Sequence, residues 1–329
     1  MKHSVKITII LLAMFFITQL IGIFVISQYS PQTTQTTDAE GNLINVTSYN
    51  LPYGMDPPPE IQPASIPKMA AYFAIIFAIA VGVMFILMKY NAELLLRLWF
   101  FVVVALAIGI FLVSVFYFLN IFSQEIKFIF WTVPLSWLIA LIISFPVSFT
   151  KIFRKNIIIH NLTELIIYPG IAVIFVTLIL SWTASPVLAV AVILILISLY
   201  DMYAVWHAGF MQKMAKYQIQ KLKLFTGFFV PYLNKNQKQI IAKTSKAQLK
   251  NKKIKVSVAI LGGGDIVFPI ILAGTVLATL GFVQAVIISI GATLALAGLF
   301  KISQKGKFYP AMPFITAGCF VALAIAYLI

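Results

Sequence analysis

Cysteine, histidine and acidic side chains are all scarce in this chain of 329 residues, and each shortage removes a class of chemistry. A single cysteine, Cys319, forms no intrachain disulfide and no thiolate metal cluster. The three histidines, His3, His160 and His207, lack metal-ligand spacing. There is no HExxH, and no serine sits in a GxSxG elbow. No cofactor or metal is therefore expected. Charge of either sign is thin as well: 10% of the residues are charged against 61% hydrophobic, and mean hydropathy is +1.01. Too few charges remain to coat a soluble domain of this size. The net charge of +15 would ordinarily suggest nucleic acid. Here the basic residues cluster between long apolar runs, which points to membrane topology instead, and no nucleic-acid partner is expected.

What the chain has in quantity is apolar runs. Nine sort into candidate transmembrane helices, each near the roughly 20 residues that cross the hydrocarbon. They lie at about 7–27, 70–88, 98–119, 128–148, 165–183, 186–206, 256–276, 280–299 and 310–329. The expected fold is all-α and polytopic. A six-helix part covers 1–206, a basic loop 207–255 and a three-helix part 256–329. The opening MKHSVK and its long apolar run read as an uncleaved signal anchor, because the run ends ISQYSP without an A-x-A-like site. Pro186 suits the first turn of the sixth span.

Lysine and arginine set the orientation. Lys2 and Lys6 precede the first span; Lys151, Arg154 and Lys155 follow the fourth; Lys301, Lys305 and Lys307 follow the eighth. Segment 207–255 holds twelve lysines and no acid. With nine spans, all of these fall on the side of the N-terminus, so the positive-inside rule predicts N-inside and C-outside. Within the loop, HAGFMQKMAKYQIQKLKLFTGFF reads as an amphipathic stretch against anionic membrane lipids or as a solvated linker. Asn45-Val46-Thr47 is a glycosylation sequon on the predicted outer side. Asn161-Leu162-Thr163 fits the same pattern but lies inside, as a helix start.

The acids carry most of the information. Seven of nine lie at or before Glu164, in loops or near helix ends, where Glu93 can pair with Arg97 one turn on. The remaining two, Asp201 in ILISLYDMYAVW and Asp265 in LGGGD, fall inside predicted spans that contain no Lys or Arg. An ionised carboxylate there costs about 2.5–3.5 kcal/mol on insertion scales. Asp201 sits near the inner end of span six, roughly 8 Å deep at 1.5 Å per residue, and Asp265 nominally twice as deep in span seven. Gly262, Gly263 and Gly264 loosen the helix before Asp265, and Pro269 is expected to disturb the turn that follows. Two carboxyls sharing one proton can polarise a carbonyl and activate a water, which is aspartic protease chemistry. Intramembrane aspartates and broken helices equally suit a cation-coupled transporter or channel, and a non-catalytic membrane scaffold is a third reading.

Tyr200-Asp201 and Gly262-Gly263-Gly264-Asp265 resemble the YD and GxGD motifs of the presenilin and signal peptide peptidase family. Pro310-Ala311-Met312 is similar to its PAL motif, with methionine for leucine. The resemblance covers nearly the whole chain and looks closest to a microbial presenilin homologue. It implies an intramembrane-cleaving aspartyl protease with Asp201 and Asp265 as the catalytic pair. Tyr200 would then stand beside the pair, the glycines would allow close approach, and Pro310, Ala311 and Met312 would border the substrate cleft. Its implied substrates are single-span membrane proteins or leftover signal segments, in the cell membrane of a microbe and without obligate partner subunits. Such a substrate must unwind before water can attack, and strand-like addition near the 310–312 segment could hold it.

Overall fold

A backbone immersed in hydrocarbon must satisfy its own N–H and C=O groups, and for an apolar run the local solution is the α-helix. The computed structural model describes residues 5–37, 43–48, 51–54, 66–127, 132–154, 156–208, 226–232, 257–304 and 309–329. Among these residues there are nine α-helices: α1 (Val5–Ser27), α2 (Ile66–Lys89), α3 (Glu93–Leu119), α4 (Leu135–Phe153), α5 (Ile157–Trp182), α6 (Pro186–Tyr203), α7 (Gly263–Thr279), α8 (Phe282–Ile302) and α9 (Met312–Ala326). Seven are long and apolar enough to cross a membrane, while α7 and α9 are shorter apolar helices of 17 and 15 residues.

Each helix overlaps one expected span, but three beginnings move for identifiable reasons. α5 starts at Ile157, well before residue 165, because Asn156 caps it: its Oδ1 accepts the N–H groups of Ile158 and Ile159. Asn161 is therefore one turn inside the helix and not at its start. α4 starts at Leu135, after a short ribbon of β3 (Glu125–Lys127) and β4 (Thr132–Pro134). The third change matters most. Residues 257–262, expected as the opening of the seventh span, form a β-strand.

That strand, β6 (Ser257–Gly262), pairs antiparallel with β5 (Gly227–Tyr232), in register from Gly227 opposite Gly262 to Tyr232 opposite Ser257. Ala259 and Leu261 are buried while Val258 and Ile260 are exposed, the alternation of a half-buried strand. An unbroken apolar run conceals that alternation, because strand and buried helix look alike in it. A further ribbon joins β1 (Gln32–Thr37) to β2 (Leu43–Ser48), where Asn45 lies. The all-α expectation is thus amended by three two-stranded ribbons in the connections. Most of the basic 207–255 segment, with its amphipathic reading, lies outside the described residues.

α7 is the central element. It packs against α1, α5, α6, α8 and α9, and Ile266, Ile270, Leu272, Ala273 and Val276 are fully enclosed. The helix runs through Pro269 without a break, contrary to the disturbance expected there. Pro269 lacks only the N–H that would bond the Asp265 carbonyl one turn back. Gly281, at φ 121°, makes the tight turn into α8. At the periphery, Ile75, Ile76 and Ile79 of α2 are more than half exposed, which suits a lipid-facing surface.

Glycines set the closest helix contacts, as expected where small residues let backbones meet. A Cβ on Gly170 of α5 would stand 2.1 Å from the Ala107 carbonyl oxygen of α3, a backbone atom with nowhere to go. Nothing lies within 4 Å of the same atom on Gly298. Gly170→Ala should therefore cost about 1–3 kcal/mol through overpacking. Gly298→Ala should be neutral or stabilising by up to ~1 kcal/mol. Thermal unfolding of the two variants in detergent checks the contrast.

Candidate active site

Asp201 is the third residue from the end of α6, and Asp265 is the third residue of α7. The replacement of the first helical turns of span seven by β6 brings this about. It removes the mismatch of depth that a helix starting at 256 would impose, because both acids now lie in terminal turns at the same end of adjacent helices. The chain after Asp201 widens into a π turn, Ala204–Ala208, a departure from regular helix that recurs at functional sites.

The Asp201 carboxyl is buried, 7% exposed, in the last turn of its helix. The carbonyl end of a helix is the unfavourable end for a negative charge. A second helix end compensates for it. The Met312 N–H donates to Asp201 Oδ2 at 3.0 Å, and the Ala311 N–H also points to the carboxyl. These are the free donors at the start of α9, which form a natural anion site. One turn further along both helices, the hydroxyls of Ser198 and Thr316 bond at 2.8 Å in a buried pair. The 310–312 segment, expected to border a cleft, thus also grips one of the two acids through its main chain. Pro310 and Met312 are buried and Ala311 is half-buried. Tyr200 is half-buried beside Asp201, within reach of its charge.

Asp265, half-buried, enters from the other side. It stands in the first turn of α7, the end whose dipole favours a carboxylate. Asp201 is within its electrostatic reach. The three preceding glycines lie in ordinary backbone regions, since among the described glycines only Gly227 and Gly281 have positive φ. Their contribution is space, and each leaves a different space. A Cβ on Gly262 would come within 3.2 Å of Asp265 Oδ2, and one on Gly263 would run into the ring of Tyr168. Beside Gly264, among the described residues, a Cβ would meet only Phe268, at 3.9 Å, so on this flank the described residues leave the aspartate room. Gln19 of α1 donates from Nε2 to the Ile266 carbonyl at 3.0 Å and ties α1 to the same turn.

A buried polar cluster holds the ribbon that leads into this turn. The Asn161 side chain clamps Phe229 of β5, donating to its carbonyl at 2.7 Å and accepting its N–H at 3.0 Å. His160 Nε2 lies 2.9 Å from the Gly227 carbonyl and 3.5 Å from Glu164 Oε1, so with two acceptors around it this nitrogen carries a proton. Lys151 from α4 completes an ion pair with Glu164, whose side chain is 1% exposed. Tyr168, one turn beyond Glu164, packs edge-on against Phe228 of β5, with ring centroids 5.9 Å apart. A cavity of about 270 Å³ runs past Lys151, Glu164, Tyr168, Thr226, Gly263 and Gly264.

Sequence reasoning singled out both aspartates and the motif residues around them. It did not find Gln19, Lys151, His160, Asn161 or Tyr168, and it treated Glu164 as an ordinary helix-end acid. The four-residue spacings of His160, Glu164 and Tyr168 put them on one face of α5, a signal legible before any fold is known. Their shared role depends on β5, whose pairing could not be read from the sequence. Glu93 and Arg97 do approach as expected, at 3.9 Å, on the partly exposed surface of α3.

A family model described as "Signal-peptide peptidase, presenilin aspartyl protease" matches residues 55–329. Two solved structures of a presenilin family intramembrane aspartate protease share the fold. One, in a C222 crystal form, has TM-score 0.56 at 14% identity, covering 98% of each chain. The other, in a P2 form, has TM-score 0.55 at 15% identity, covering 97% of this chain and 96% of that one. No curated protein matches the sequence.

The grip on Asp201 yields a test. Met312→Leu keeps the main-chain donor and should leave the melting temperature close to that of the parent. Met312→Pro deletes the N–H at a first-turn position, where proline is otherwise at home. It should cost about 1–3 kcal/mol for the unsatisfied buried carboxyl, read as a lower melting temperature in detergent.

Proposed function

The chain belongs to the signal-peptide peptidase and presenilin aspartyl protease family, and on that premise we propose that Asp201 and Asp265 are the catalytic pair of its intramembrane proteolysis. The observation that carries the assignment is their placement. Two carboxyls on neighbouring helix ends lie within electrostatic reach of each other, one gripped by main-chain N–H groups and the other flanked by Gly264, where the described residues leave room.

The two environments suit two roles, because neighbouring carboxyls share a proton most easily when their surroundings differ. The donors of α9 favour the ionised form of Asp201, which would take a proton from the attacking water. Asp265, in its apolar surroundings, would hold the shared proton and polarise the scissile carbonyl. As the tetrahedral intermediate collapses, a proton passes to the leaving nitrogen, and the pair returns to its starting state. Nucleophile and proton donor are thus a water and two carboxyls, and no covalent intermediate with the enzyme is needed.

The substrates are transmembrane segments of other membrane proteins or leftover signal segments. Such a helix must be unwound before its carbonyls are open to attack, and the freed backbone must find partners. The outer edge of β6, the strand that runs directly into Asp265, supports a reading in which the unwound stretch is held as an added strand. The expected strand addition near 310–312 would then be completed by the α9 segment across the cleft, with Tyr200, Pro310 and Ala311 at its border. The nine helices, seven of span length and two shorter, support a nine-pass protein. The distribution of Lys and Arg supports an inner N-terminus and inner basic loops, in the cell membrane of a microbe. No obligate partner subunit enters this reading.

Asp201→Asn and Asp265→Asn should each abolish cleavage of a reconstituted single-span substrate, with the folded protein recovered at the parental yield. Cleavage at the parental rate by either variant refutes the pair. For the parent, activity should fall on both sides of a pH optimum, since protonating both carboxyls or ionising both removes one role.

A further inference from the structure

The Tyr168 side chain presents a problem that its packing does not solve. It is 3% exposed, and among the described residues its hydroxyl has no hydrogen-bond partner of ordinary geometry. The group lies against the Glu164 carboxyl, close enough to interact with it but outside ordinary hydrogen-bond geometry, and within reach of the Asp265 charge. A buried unpaired hydroxyl is destabilising, and phenylalanine would fill the same space without that penalty. The ring alone would serve to pack against Phe228 and to occupy the place beside Gly263. The oxygen needs a separate explanation.

Its surroundings supply one. The charged groups that act on this phenol are Glu164 on its own helix and Asp265 from α7; Lys151 from α4 and the His160 ring stand beside Glu164, and Asp201 lies beyond Asp265. Glu164 is already served by the Lys151 ammonium, with the His160 ring 3.5 Å away. Asp265 has no such service from the described side chains, and the missing side chain of Gly263 opens the gap on that side. The same cavity of about 270 Å³ touches both Tyr168 and Gly263, which leaves free volume beside the α7 start.

We propose that Tyr168 is a positioning residue for Asp265: its hydroxyl donates a hydrogen bond to the Asp265 carboxyl when the two aspartates close on a substrate. The Lys151–Glu164–His160 cluster holds the phenol from behind, and β5, anchored by His160 and Asn161, carries the same constraint to the strand that leads into Gly263. The donated bond fixes the carboxyl's rotation and leaves its second oxygen for the shared proton. In the resting state the donor is unsatisfied, and stability is given up for a contact made during the reaction.

The inference rests on the assignment of the aspartate pair, and one set of variants separates the two. Tyr168→Phe, which removes one oxygen and keeps the ring, should have a melting temperature equal to or above that of the parent. Its kcat should fall about 5- to 50-fold with KM little changed, as for loss of a contact made only in the transition state. The alkaline limb of its activity–pH profile should move to higher pH, since Asp265 holds the shared proton and losing a donor to its carboxylate favours the protonated form. A merely structural tyrosine would instead change stability and leave the pH profile alone. Parental kcat and pH profile in Tyr168→Phe, alongside inactive Asp201→Asn and Asp265→Asn, would overturn the inference and leave the pair intact. Cleavage by Asp265→Asn would overturn the pair itself, and the inference with it.

Discussion

The carboxyl of Asp201 lies at the end of a helix where negative charge is least welcome, and much of the active-site architecture follows from how that is resolved. The free N–H groups at the start of α9 supply the compensation, with the Met312 donor 3.0 Å from Asp201 Oδ2. For this to work, the C-terminus of α6 and the N-terminus of α9 must stay in register. The Ser198–Thr316 hydroxyl pair, one turn away and fully enclosed, fixes that register. Gly291 and Gly318 then allow α8 and α9 to touch backbone to backbone, so that α9 is backed by a second helix. A proline–alanine–methionine start to a short helix is thereby part of the machinery that holds an acid inside a membrane protein.

Asp265 is placed by different means. Its helix begins late, because the apolar segment before it is drawn into a strand with β5, and β5 is in turn clamped by α5. Three glycines then clear room: one for the aspartate's own oxygen, one for Tyr168, and one that leaves a flank open. A side chain at either of the first two would occupy a space that a neighbour needs. The central position of α7, touched by five other helices, transmits these constraints to the whole bundle.

The composition and the run of apolar segments were enough to read the membrane class and the nine helices, because the requirement for internal hydrogen bonding leaves a long apolar run few alternatives. Both aspartates stood out for the same reason that makes them costly. The seventh helix start was misread, since in Ser257–Gly262 the alternation of buried and exposed positions is written entirely in apolar residues. Pro269 was expected to disturb the helix turn containing Asp265, and the helix runs through it, the missing N–H being its only evident departure. The glycines were read both as a source of backbone freedom and as allowing close approach; their ordinary dihedrals and the contacts a Cβ would make support the second. Tyr168, Asn161 and Gln19 were invisible because each acts across long stretches of sequence: Gln19 meets Ile266 only once α1 and α7 are packed.

The most direct test of this account asks whether the ends of α6 and α9 stay locked together while the enzyme works. The paired hydroxyl oxygens of Ser198 and Thr316 are 2.8 Å apart, a separation compatible with disulfide geometry after substitution. In a Cys319→Ala background, the double variant Ser198→Cys/Thr316→Cys should form this disulfide on mild oxidation in membranes and still cleave its substrate. Failure to cross-link, or cross-linking that stops cleavage until a reductant is added, would contradict a fixed α9 grip on Asp201.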